Sequence, residues 1–128
     1  MILSLQYRGQ EFSIYAIVCN DGSCPAIDFL EQVKQNNPAS HKSLVNIYTR
    51  HADHGQIRNI RKSRAVEGRR NILEFKSNQG DRLLYFYLPG RKTVLTHGFH
   101  KHKGAPTKAE YNKAERMRNQ YLKEVGNG

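Results

Sequence analysis

The chain has 128 residues and a formal net charge of +10, from 21 Lys and Arg against 11 Asp and Glu. This length fits one domain, residues 1–128, with a modest core, and the basic excess selects partners that carry negative charge. No apolar run approaches the roughly 20 residues of a membrane helix. The opening MILSLQYRGQ lacks the charged and apolar regions of a secretory signal, so a cytoplasmic protein without a membrane partner is expected.

Residues 12–19, FSIYAIVC, form an apolar run of strand length, which either pairs with the preceding ILSLQY across Arg8-Gly9-Gln10 or opens a sheet alone. After a polar loop, Pro25 stands at a first helical position, and Ala26, Ile27, Leu30 and Val33 make one apolar stripe. Asn37 reads as the N-cap of a second helix, with Pro38 as its first residue and Leu44, Ile47, Tyr48 and Ala52 as its buried face. His51 and His54 fall near its C-terminal end, where the macrodipole favours a protonated imidazole. Cys19 and Cys24 read as reduced thiols: a bridge closing so short a loop gains little chain entropy, and no second Cys pair completes a zinc site.

Residues 57–70, IRNIRKSRAVEGRR, read as a solvated basic loop that adds a positive patch beside the sheet, with Arg61 and Lys62 as substrate contacts. Ile72 to Lys76 alternate as a strand, Ser77-Asn78-Gln79-Gly80 is a turn, and a hairpin follows: Arg82 to Leu88, Pro89-Gly90, then Lys92 to Phe99. The hairpin ends in His100-Lys101-His102-Lys103, four basic or titratable side chains at the tip of a stiff ribbon. Thr107 to Glu110 has the capping-box pattern and starts a last helix with Tyr111, Ala114, Met117, Tyr121 and Val125 on one side. The expected order is β-α-α-β-β-β-α: an α+β fold with two N-terminal helices and a C-terminal helix packed on a small antiparallel sheet.

Four segments in register resemble RelE/HigB-type toxins, specifically their phage-derived HigB-like branch. They are Asp28-Phe29-Leu30 with Val33; Asn71 to Lys76; Arg82-Leu83-Leu84-Tyr85-Phe86; and His97-Gly98-Phe99-His100-Lys101-His102 with Pro106 and Glu110. The resemblance implies a microbial RNase-like fold and the toxin of a toxin–antitoxin module. It further implies cleavage of messenger RNA, often on the ribosome, and a small antitoxin, of helix-turn-helix type, encoded alongside. Two positions depart from that pattern: His102 stands where the family has a second Lys, and Lys76 where its strand has Arg.

Metal-free RNA cleavage needs a base for the 2′-hydroxyl, positive charge for the transition state and an acid for the leaving 5′-oxygen. Arg82 suits a phosphate through its planar fork and Lys101 as a point charge, while His100 and His102 are the groups that titrate near neutrality. These four are the expected catalytic residues, with Lys76, Lys103, Arg61 and Lys62 as further substrate contacts. No cofactor is expected. His97, His100 and His102 make a poor metal site, because on a strand the first faces away from the other two. Structural readings compete: an ion pair of Arg82 with Glu74, a buried histidine at His97, and packing roles for Tyr85 and Tyr87. Competing functions are a ParE-like gyrase poison and a nucleic-acid-binding phage protein without nuclease activity.

Overall fold

Apolar and β-branched residues build the first two strands, β1 (Ile2–Arg8) and β2 (Ser13–Val18), paired antiparallel across the turn at Gly9. The turn depends on that glycine, because a Cβ there would collide with the Ala52 carbonyl. The same carbonyl accepts from the N–H groups of Glu11 and Phe12 at 2.8 and 2.9 Å. Helix α1 (Pro25–Asn36) starts at its proline. Asn37 then acts twice: its N–H donates to Val33 O (2.7 Å), closing α1, and its side-chain oxygen accepts from Ser40 N (3.2 Å), opening α2 (Pro38–His54).

The computed structural model describes residues 1–126. After α2 come β3 (Ser63–Ala65), β4 (Leu73–Lys76), β5 (Asp81–Leu88), β6 (Lys92–His100) and α3 (Lys108–Gly126). The six strands lie in the order β1-β2-β6-β5-β4-β3. The α+β class is as expected, but the element order is β-β-α-α-β-β-β-β-α. The added strands are β1, one of the two open readings of the N-terminus, and β3, which crystallises out of the stretch expected to be loop. The sheet is also mixed rather than antiparallel throughout, since β2 and β6 run parallel. The α1–α2 hairpin supplies the crossover that a parallel pair requires.

Both faces of the sheet are covered. Helices α1 and α2 pack on Ile14, Ala16, Phe75, Leu83, Tyr85 and Leu95, and α3 packs on Ile17, Ile72, Leu84, Phe86 and Val94. Burial on two sides explains the unbroken apolar run Leu83-Leu84-Tyr85-Phe86, in which no residue is exposed. Close approach of α1 to β6 rests on Gly98, where a Cβ would run into the Phe29 ring. Cys19 and Cys24 are free thiols.

His51 departs from expectation. It is fully buried, stacked on Phe12 at 4.7 Å and edge-on to Phe75 at 5.2 Å, with Nε2 2.9 Å from Thr93 Oγ1. Its Nδ1 has no hydrogen-bond partner. Desolvation in this aromatic cage pushes its pKa down to about 4 and overrides the helix dipole, so the ring is neutral rather than protonated. His97, buried on β6, is also pushed down to about 4, by burial first and then by Lys113 and Arg116. A folded pKa below the unfolded value near 6.5 means that the unfolded chain binds the extra protons. Stability is therefore full above pH 6.5 and falls as pH drops toward 4, by about 3 kcal/mol for each imidazole. Urea midpoints measured from pH 7.5 to 4.5 should decline accordingly, and His51→Phe should flatten the decline by about one proton's slope.

Candidate nucleic-acid interface

Strand register places four ionisable residues on the α3 face of the sheet. Arg64 lies opposite Glu74, Lys76 lies opposite Arg82, and Glu74 and Lys76 are two residues apart on one strand. Glu74 is fully buried. Its Oε1 accepts from Arg64 Nε (2.8 Å) and Arg82 Nη1 (2.7 Å), and its Oε2 accepts from the Tyr111 hydroxyl of α3 (3.0 Å). The ion pair between Arg82 and Glu74, one of the competing readings of the sequence, is present. Arg82 Nε nevertheless remains a buried donor with no partner.

One carboxylate does not neutralise this group. The Lys76 ammonium is held below its ordinary pKa by desolvation first, then by Arg82, Arg64 and Lys101, with only Glu74 opposing. Mutual repulsion in a partly buried site is an unfavourable arrangement for folding that an arriving anion would relieve. Next to it opens a hollow of about 370 Å³, lined by Arg64, Glu67, Arg69, Lys101, Lys108 and Tyr111. Arg69 is itself tied to Glu115 at 2.6 Å, which leaves Lys101 and Lys108 as the point charges on the rim.

Of the residues expected from sequence to form the site, Arg82, Lys76 and Lys101 share one electrostatic environment. His100 does not join them. Asp81 pairs with His100 and Arg82 with Phe99 across the hairpin, so the pleat sends Arg82 toward α3 and His100 toward α1 and α2. There His100 Nδ1 sits 2.8 Å from Asp81 Oδ1. The exposed His102 follows it, with ring centroids 4.8 Å apart. Lys62 lines a separate hollow of about 480 Å³ with Lys42, Asn46 and Arg50 of α2. Arg61 and Lys103 are exposed. Among the described residues no group of three or more His, Cys, Asp or Glu is placed to hold a metal ion, and no helix is long and apolar enough to cross a membrane.

Arg64, Tyr111 and Asp81 went unnoticed in the sequence. Arg64 lies inside a basic run with no strand signal, Tyr111 falls on the apolar side of α3, and Asp81 stands between the 77–80 turn and the hairpin strand expected from Arg82. Only the pairing of Arg64 with Glu74 on neighbouring strands, a tertiary fact, distinguishes it from the other arginines of that run.

An α+β domain with a cationic hollow between sheet and C-terminal helix defines a small, basic class of protein. More particularly, residues 26–119 match the family described as phage derived protein Gp49-like (DUF891). That is most of the chain, which belongs to this family, one associated with toxins of toxin–antitoxin systems. No curated protein matches the chain significantly.

Removing the carboxylate charge by Glu74→Gln would leave two guanidinium groups facing each other and Lys76 without a counter-charge. Loss of one partner from a buried ion pair costs about 3–5 kcal/mol. A urea-denaturation series should show a loss in that range, and the Arg64→Met/Glu74→Gln double variant should recover part of it.

Proposed function

We propose that the chain is the toxin of a toxin–antitoxin pair of RelE/HigB type, a metal-independent endoribonuclease that cuts messenger RNA on the ribosome in the cytoplasm. The observation that carries the reading is the unneutralised cation cluster of Lys76, Arg82, Arg64 and Lys101 around Glu74. Its family association and the net charge of +10 support the same view. The cognate antitoxin would be a small protein, of helix-turn-helix type, encoded beside this chain and covering the cationic surface.

In this reading a phosphate binds over the cluster, where Arg82 and Lys101 meet the charge that develops on its oxygens in the transition state. Lys76, whose ammonium releases its proton more readily than an ordinary lysine, is the acid for the leaving 5′-oxygen. The base for the 2′-hydroxyl comes from His102, exposed at the ribbon end next to Lys101, with the His100 ring beside it. Arg61, Lys62 and Lys103 lie farther along the surface and would hold flanking phosphates.

A second reading follows from the Arg64 and Arg82 ion pairs with Glu74: both guanidinium groups then serve the fold, and the protein binds nucleic acid, or poisons gyrase as ParE-like toxins do, without cutting RNA. Expression in growing cells separates these readings. Arrest with cleaved messages supports the nuclease, arrest with DNA damage and intact messages supports the gyrase poison, and salt-sensitive RNA binding without arrest supports the binding module. For the nuclease, Lys101→Ala should lower ribosome-dependent cleavage about 10²-fold with little change in melting temperature. Lys76→Ala should reduce it similarly and remove the alkaline limb of the pH–rate profile.

A further inference from the structure

Strand β2 accompanies β6 only part of the way. Their parallel register runs from Ser13↔Lys92 to Ala16↔Leu95, whereas β6 continues to His100. Past Ala16, β2 stays with β1 and then turns off at Cys19, whose N–H donates to Ser23 O (2.8 Å) and whose carbonyl accepts from Gly22 N–H (2.9 Å). Among the described residues no strand replaces it beside Thr96 to His100. The end of β6 therefore has β5 on one side and an open lane on the other.

Hydrogen-bond alternation decides which groups face that lane. Lys101 N–H donates to Gly80 O at 2.8 Å, and Phe99 stands opposite Arg82, so Phe99 and Lys101 turn their backbone groups toward β5. Gly98 and His100 turn theirs the other way. The facing strand obeys the same rule: Asp81, opposite His100, has its carbonyl on the side away from β6, where it accepts from Ser77 N–H (2.9 Å). Gly98 is half-buried and His100 exposed.

Two helices wall the lane. Asp28, Phe29 and Gln32 of α1 and Lys113 of α3 surround a hollow of about 310 Å³ that also touches His97 and Gly98. The His97 ring is 2% exposed, its Nε2 has no hydrogen-bond partner, and Glu110 Oε2 lies 3.6 Å from it. A second hollow, of about 400 Å³, continues from Phe29, Gln32 and Gly98 to His100. Gly98 has no side chain to narrow this passage, and the Phe29 ring occupies the place of its Cβ.

Unpaired strand backbone is matched by an extended peptide, whose own N–H and C=O groups repeat at the same spacing. Charge selects the kind of peptide. At the lane itself Lys113 and Arg116, whose charges reach His97, stand against Asp28 and Glu110. Just beyond it the tip adds Lys101 and Lys103, and the whole chain carries +10. We infer that the lane is the docking site for an extended, acidic segment of a partner protein, which pairs with Gly98 and His100 as a short added strand. The inference rests on the toxin–antitoxin reading above, in which that partner is the antitoxin. Side chains of the segment alternate. One points toward Phe29 and Gln32, where an apolar group fits, and the next toward Lys113, where a carboxylate fits. Running on past His100, the segment lies along Lys101 and Lys103 and covers the tip.

The test compares site-resolved amide exchange in the full chain alone and bound to the product of the adjoining reading frame. Binding should slow exchange at Gly98 and His100 by about 10²-fold or more, while Phe99, already paired with β5, changes little. Lys113→Glu should raise the dissociation constant about tenfold at low salt, and by less at high salt. A complex that leaves Gly98 and His100 exchanging as in the chain alone would overturn the inference while the toxin–antitoxin pair stands. Protection of the same two amides in the chain alone, rising with its concentration, would give the edge to a second copy and overturn the assignment to a partner. A neighbouring product that neither binds the chain nor relieves growth arrest would remove the antitoxin reading and the inference together.

Discussion

A buried carboxylate with three donors holds this molecule's functional face together. Glu74 joins β3 through Arg64, β5 through Arg82 and α3 through Tyr111, and it does so with no exposure to solvent. Burying a lone carboxylate is prohibitive, and two guanidinium groups and a hydroxyl are what make it tolerable. The consequence reaches beyond stability. Arg82 is held in one geometry, with its fork already oriented, so little side-chain entropy remains to be lost when an anion arrives. The cluster then carries more positive charge than Glu74 cancels, and the half-buried Lys76 registers the excess.

The covered sheet decides where such groups can sit. With helices on both faces, the middle of β5 and β6 is closed to chemistry: Leu83 to Phe86 and Thr93 to His97 are all buried. Accessible polar groups are pushed to the strand ends. The end of β6 lies where α3 begins after a short connector and where α1 leaves a hollow because Gly98 admits Phe29 against the strand. The candidate site gathers at one rim of the sheet because the middle of β5 and β6 is core.

Much of this architecture could be read from the chain. Pro25, Asn37 and Pro38 mark helix ends through local chemistry that tertiary structure leaves intact, and the Pro89-Gly90 hairpin is likewise local. What escaped depends on pairing or burial. The short strand β3 has no apolar alternation and exists because its residues find β4. His51 sits where a helix dipole would favour charge, but the aromatic cage around it outweighs a surface-scale dipole effect of less than about 1 kcal/mol. Arg82 was visible; that it shares a carboxylate with Arg64 was not.

The tip His100-Lys101-His102-Lys103 shows most clearly what linear reading blurs. As composition it is a knot of positive charge. As an extended chain it alternates, and alternation sorts it. His100 and His102 come together on the α1 side, their rings 4.8 Å apart, while Lys101 turns to the α3 side and lines a hollow with Arg64 and Tyr111. Each side then meets its own carboxylate. Glu74 gathers guanidinium groups and fixes a field of positive charge, and Asp81 receives the imidazole N–H of His100. Proton acceptors and phosphate-binding cations are mutually harmful when crowded together, because cations lower the basicity of an imidazole they touch. The ribbon end keeps the two apart, imidazoles toward α1 and cations toward α3, each beside its own buried carboxylate.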